Sequence, residues 1–180
     1  LASMFQSITP RTAGFNTINL GELSEGGALL TILLMIIGGS PGSTAGGIKT
    51  TTFITLLAGA WASAKQIPDI SVFKRRLETD SLKKASAITV IYISVSLAAI
   101  MLICTIQDFS LKDVMFEVFS AVGTVGLSLG ITPKLNFYSK IIIALLMYSG
   151  KVGVLSMAVV IAEKREPAPL SRPYEKIIIG

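Results

Sequence analysis

Two short segments have residue types suited to holding a small cation with backbone alone. They are Thr12-Ala13-Gly14-Phe15 and Thr124-Val125-Gly126-Leu127. Glycine reaches backbone angles that turn successive carbonyls to one side. Carbonyls from several such loops can replace the hydration shell of a monovalent cation. The side chains then contribute little, so Ala13 and Val125 can be apolar. A single Thr-X-Gly tetrad is a weak signal, but here it belongs to a repeat. A shift of 112 residues places Thr12 on Thr124, Leu33-Leu34-Met35 on Leu145-Leu146-Met147, and Gly38 on Gly150 without a gap.

The repeated unit also predicts the elements that hold the tetrads. Ser110 is a helix N-cap candidate, and Leu111 to Val122 is about 12 residues, roughly 18 Å of helix. That is too short to cross a bilayer, which needs about 20 apolar residues, so the segment reads as a re-entrant helix ending at the tetrad. Exposed backbone is tolerated at membrane depth only where it lines a polar cavity. Ala85–Ile106 runs 22 residues without a charge and reads as a transmembrane helix whose serines and threonines bond back along it. Gly26–Ile48 is also uncharged, but its end, Gly38-Gly39-Ser40-Pro41-Gly42-Ser43-Thr44-Ala45-Gly46-Gly47, holds five glycines and a proline. Those residues oppose helix. The spacing predicts a helix near 24–37, a break at 38–47 and a second helix near 48–64. A last apolar run covers Ile141–Ala162, interrupted at Gly150-Lys151-Val152-Gly153.

Composition agrees. Of 180 residues 51% are hydrophobic and 15% charged, against roughly 25% charged in soluble domains, and mean hydropathy is +0.69. There is no histidine and one cysteine, Cys104. This excludes an intrachain disulfide, the usual Cys/His zinc sites and any histidine-based triad. The net charge is +5, with basic clusters at 65–84 and after 163. Clusters flanking apolar spans read as a positive-inside signal rather than as nucleic-acid binding. They set 65–84 and the C-terminus on the cytoplasmic side.

With these motifs in hand, the sequence resembles the Trk/Ktr/HKT potassium-uptake superfamily, nearest to its KtrB-type membrane subunits. Ser7 to Thr17 resembles the third pore loop, Ser120 to Ser128 the fourth, and Gly39 to Thr50 the broken third M2 helix. The end, Tyr174 to Gly180, is similar as well. The resemblance implies an all-α integral membrane fold of M1–pore loop–M2 repeats, multi-pass in the cell membrane. The organisation it implies is 1–64 as the end of the third repeat, 65–84 as a cytoplasmic loop, 85–162 as the fourth repeat and 163–180 as a cytoplasmic tail. The first two repeats and the third M1 would belong to a longer parent chain.

By the same resemblance, the filter is Thr12, Ala13, Gly14, Phe15, Thr124, Val125, Gly126 and Leu127. Its backbone carbonyls coordinate potassium, and Gly14 and Gly126 go with potassium preference. Residues 38–47 form the gating loop, and Lys151 stands where the family usually has arginine. No covalent cofactor or chemical catalysis is implied. Potassium is the substrate, and sodium dependence is left open. A cytosolic KtrA-like ring would carry the regulatory nucleotide, and a homodimer in membrane lipid is the expected assembly.

Two other readings remain at this level. Gly42-Ser43-Thr44-Ala45-Gly46-Gly47-Ile48-Lys49-Thr50 nearly spells a phosphate-binding P-loop, but Ile48 displaces the lysine by one residue. Alternatively, the tetrads only pack, in a membrane protein that conducts nothing. Lys151 likewise could snorkel to water. No span carries the regularly spaced arginines of a voltage sensor.

Overall fold

The computed structural model describes residues 1–43, 45–67, 71–72, 75–77 and 79–153. Six helices follow in order: α1 Ala2–Ile8, α2 Glu25–Ile36, α3 Thr50–Ala64, α4 Thr79–Ile106, α5 Leu111–Val122 and α6 Phe137–Val152. A two-residue strand pair, β1 Ser71–Val72 and β2 Arg75–Arg76, is antiparallel and joins α3 to α4. Thr44 and the segment 154–180 lie outside the described residues, and with them part of the last apolar run and the basic tail.

The 112-residue shift is kept by the backbone. Two 3-10 turns, Leu20–Glu22 and Thr132–Lys134, occupy equivalent positions. The helices after them start at equivalent residues, Glu25 and Phe137. Even the caps correspond: Ser24 Oγ accepts from the Gly27 amide at 3.2 Å, and Asn136 Oδ1 from the Ser139 amide at 2.8 Å. Each cap satisfies one of the amides a helix start leaves open.

α5 is the hub, packing against α2, α4 and α6. It spans the predicted residues and is capped at Ser110, whose hydroxyl accepts from the Asp113 amide at 3.2 Å. Residues 116–122 are all buried. A salt bridge of 2.9 Å from Lys112 to Glu25 ties its start to the start of α2.

α4 is, among the described residues, the one helix long and apolar enough to cross a membrane, over Asp80–Ile106. Only 28% of its apolar window is buried, unlike the core helix of a soluble protein. Val90, Ile93, Leu97 and Met101 form an exposed apolar stripe at helical spacing. Ser96 and Thr89 hydroxyls donate back to the Tyr92 and Ala85 carbonyls at 2.8 and 3.0 Å.

Three boundaries differ from the sequence reading. α4 begins at Thr79, inside the expected 65–84 loop, and its polar first turns hold an Asp80–Lys84 pair at 2.9 Å. α6 begins at Phe137 rather than Ile141, because Asn136 caps it. It also runs through Gly150 and ends at Gly153, whose φ is +95°. By contrast α2 stops at Ile36, and the chain leaves on a ten-residue excursion pinched at its base. There Gly38 N donates to Ile48 O at 2.9 Å, and Ile48 N to Ile36 O at 3.0 Å.

Two helical glycines face different neighbours. A methyl at Gly59 would meet Leu82 Cδ1 at 2.7 Å, the rotatable end of a side chain. A methyl at Gly150 would run into the Val122 carbonyl, which is backbone. Gly59→Ala is therefore expected to leave thermal stability in detergent nearly unchanged. Gly150→Ala should lower it by about 1–3 kcal/mol, and equal melting temperatures for the two variants would contradict this packing.

Candidate functional site

The two tetrads adopt the same unusual backbone. Thr12 and Thr124 have φ of +66° and +54°, and Gly14 and Gly126 have +73° and +88°. Positive φ is costly for threonine, so the neighbouring structure must impose it. In the loop that follows α5 that structure is the last turn of α5. Thr124 N donates to Ala121 O at 3.0 Å, Val125 N to Ser120 O at 2.8 Å, and Gly126 N to Ser120 Oγ at 3.2 Å. In the other loop Ala13 N and Gly14 N both donate to Thr9 O at 3.1 Å. Thr9 Oγ1 donates to Phe15 O at 2.7 Å, so that carbonyl already has a protein partner.

The fold brings the tetrads together. A methyl on Gly14 would collide with the Val125 carbonyl, so the two loops approach at backbone distance. The glycine-rich excursion meets the second of them. Gly46 N donates to Thr124 Oγ1 at 2.9 Å, and a methyl on Gly46 would lie 2.8 Å from Gly123 O. Thus the excursion touches the Thr124–Leu127 tetrad directly, through Gly46.

Lys49, at the start of α3, holds the excursion from its other side. Its Nζ donates to Ser43 O at 3.3 Å and to Ala45 O. This also removes the P-loop geometry, since the ammonium is engaged by its own loop and a helix, α2, runs into that loop instead of a strand.

Lys151 stands between two cavities. One, of about 330 Å³, is bounded by Ala45, Gly46, Lys49, Tyr92, Gly150 and Lys151 among others. The second, of about 450 Å³, lies against Glu117, Ser120, Thr124, Gly126, Ser128 and again Lys151. Lys151 is thus adjacent to both the excursion and the tetrad that follows α5. Among the described residues no cluster of His, Cys, Asp and Glu could hold a metal ion.

Residues 1–171 match the TrkH family, described as cation transport protein. The chain belongs to this family. It is 37% identical to the Ktr system potassium uptake protein B of Bacillus subtilis, over 99% of this chain and 40% of that protein. It is also 37% identical to the potassium/sodium uptake protein NtpJ of Enterococcus hirae, over 99% of this chain and 41% of that protein. In three dimensions it is similar to the potassium transporter TrkH from Vibrio parahaemolyticus, with a TM-score of 0.79 at 18% identity, over 90% of this chain and 37% of that one. The last likeness is one of fold. The chain spans about two fifths of the length of the curated relatives it matches. A TrkH-family chain belongs with cation transport proteins and not with enzymes.

Sequence reasoning missed three participants. Lys49 reads from the sequence only as the displaced lysine of a near P-loop, and its role as a clamp is visible only in space. The Gly46–Thr124 bond joins residues 78 apart. Glu117 sits 6% exposed inside α5, and its one available signal was a carboxylate among the apolar residues of that segment.

The Gly46–Thr124 bond has a direct test. Thr124→Val keeps the shape and removes the acceptor. Amide hydrogen exchange at Gly46 should accelerate about tenfold, the scale of one lost hydrogen bond, while Thr124→Ser leaves it slow. Equal exchange in Thr124→Val and the unaltered protein would mean the excursion is held by other contacts.

Proposed function

We propose that this chain is the C-terminal part of a membrane subunit that lets potassium cross the cell membrane down its electrochemical gradient. Thr12–Phe15 and Thr124–Leu127 would form two of the four strands of a carbonyl-lined filter, the other two coming from preceding repeats of a longer parent chain. The observation that carries this reading is the shared backbone of the two tetrads, with positive φ at threonine and glycine in each, brought together where Gly14 meets the Val125 carbonyl. Such a backbone turns carbonyls to a common side, and carbonyl dipoles replace the hydration of a monovalent cation. α5 ends at the tetrad, and the negative end of its dipole favours a cation there. Phe15 contributes least, because its carbonyl is bonded to Thr9.

In this reading residues 38–47 are the gate below the filter, with Lys151 beside the path. A lysine at such depth is a functional candidate by default, though it lacks the planar fork of arginine. Residues 1–64 and 85–162 are parts of two successive repeats, 65–84 and 163–180 face the cytoplasm, and the subunit is a homodimer. The excursion, clamped at Lys49, is the element that a cytosolic nucleotide-binding ring of KtrA type would move. The parent chain also accounts for Gln6, buried with its amide unpartnered in the structure, beside a groove of about 300 Å³ between α1 and α2. In the next repeat α4 packs on the equivalent helices.

The reading is tested with rubidium uptake and potassium-limited growth in cells lacking their own potassium uptake. The full-length protein is expressed with its cytosolic partner, with and without Gly126→Ser. A side chain at φ +88° is strained and displaces the neighbouring carbonyls. Uptake should persist while preference for potassium over sodium falls by about tenfold or more, on the order of 1.4 kcal/mol or above in discrimination. Uptake with unchanged preference would remove the filter assignment. Absent uptake from an inserted, unaltered protein would favour a packing role for both tetrads.

A further inference from the structure

Glu117 is a buried carboxylate that the proposed ion path does not use. It lies in the middle of α5, and an ionised carboxylate is expensive to bury unless donors surround it. Two hydroxyls supply that: Ser128 Oγ donates to Oε1, and Thr132 Oγ1 donates to the same oxygen at 2.5 Å. Thr132 Oγ1 also lies 2.9 Å from Ser128 Oγ, so the two hydroxyls and the carboxylate form one network. Ser128 Oγ in turn accepts from the Gly130 amide at 2.9 Å. Thr132 opens the turn that leads into α6. One carboxylate therefore ties the pore helix to the chain leaving the tetrad and to the entry of the next helix.

The position of this tie matters. The inner end of the tetrad is bonded to Ala121 and Ser120 at the end of α5. Its outer end is bonded through Ser128 to Glu117, which precedes Ser120 by about one helical turn, some 4.5 Å of rise. Residues 124–127 are thus stretched between two anchors on one rigid helix. The other tetrad is built differently. The 112-residue shift puts Phe5, Asn16 and Leu20 at the places of Glu117, Ser128 and Thr132. There the tether is Thr9 Oγ1 on the Phe15 carbonyl, a tetrad oxygen. The Glu117 tether uses side chains and engages no tetrad carbonyl.

We infer that Glu117 is a specificity-positioning residue: acting through Ser128 and Thr132, it sets the spacing of the Thr124–Leu127 carbonyls on which discrimination between potassium and sodium depends. The inference rests on the filter reading above. Charge-assisted bonds of this kind are about twice as strong as neutral ones, so the outer anchor is stiff where a hydroxyl pair alone would be soft.

The test measures rubidium uptake and its inhibition by potassium and by sodium in the full-length protein with its partner. Glu117→Gln, Ser128→Ala, the double variant and Gly126→Ser are compared at matched membrane amounts. Glu117→Gln and Ser128→Ala should each lower the potassium-over-sodium preference, on the order of tenfold for one charge-assisted bond. The half-saturating rubidium concentration should rise while maximal uptake changes little. The double variant should be no worse than either single one, since both break the same tie. Ser128→Ala deletes one surface-proximal atom and leaves the carboxylate in place, so it reports even where Glu117→Gln is not inserted. Wild-type preference in Ser128→Ala, with preference lost in Gly126→Ser, overturns the Glu117 role and leaves the filter standing. Unchanged preference in Gly126→Ser as well overturns the filter reading itself.

Discussion

The bond from the Gly46 amide to the Thr124 hydroxyl joins two segments of irregular backbone, the excursion and the loop after α5. Within a membrane, amides and carbonyls outside helices have no water to fall back on, and each must find a partner in protein or in a water-filled cavity. Here the irregular segments serve one another. The excursion closes on itself at Gly38 and Ile48, then sets Gly46 on the tetrad. Such contacts need backbone at side-chain distance, which only glycine permits. A methyl at Gly46 would sit 2.6 Å from Thr124 Oγ1, and one at Gly150 would overlap the Val122 carbonyl. The glycine richness of the sequence is thus the cost of placing three backbones in contact.

Duplication explains the symmetry of the arrangement, and small sequence differences explain where it breaks. The helices after both tetrads start at equivalent residues with equivalent caps. They part at Gly38 and Gly150. After Gly38 come Gly39, Ser40 and Pro41, and a proline with a second glycine removes about 4 kcal/mol of helix propensity. After Gly150 come Lys151 and Val152, which continue the helix for another two residues to the stop at Gly153. One copy therefore yields an irregular loop, and the other a helix that carries Lys151 beside it. The family likeness gives the fold, but this division of labour is written in a handful of residues.

Local features were legible in the sequence because local physics decides them. The 12-residue α5, its Ser110 cap, the break after α2 and the repeat all follow from caps, glycine, proline and charge spacing. The start of α4 was not legible, because Thr79–Lys84 is polar enough to pass for loop; the Asp80–Lys84 pair is a helix-compatible pattern that the charge count obscured. The start of α6 at Phe137 was not legible because Lys140 breaks the apolar run before Ile141, while the Asn136 cap lies four residues upstream of that lysine. Of the candidate site, the tetrads and the excursion could be named but not joined. The Thr124–Gly46 and Glu117–Thr132 bonds span 78 and 15 residues, and no periodicity marks a partner found only by folding.

The energetics of the excursion bear on how the proposed gate would be worked. Its seat consists of one neutral bond to Thr124 and two bonds from the Lys49 ammonium to Ser43 and Ala45. Neutral hydrogen bonds contribute about 1 kcal/mol net and charged ones about 1.5–3. With Lys49 partly in contact with solvent, the seat amounts to on the order of 3–5 kcal/mol. Moving a two-state element from mostly seated to mostly released takes about 5.5 kcal/mol of differential binding. A seat of about 3–5 kcal/mol starts beyond the 99:1 ratio of that estimate, so full release takes about 6–8 kcal/mol. A loop held this firmly stays seated against thermal fluctuation for all but a small fraction of the time. Building it from a few hydrogen bonds, one of them on the tetrad, couples the seating of the excursion to the backbone of Thr124–Leu127.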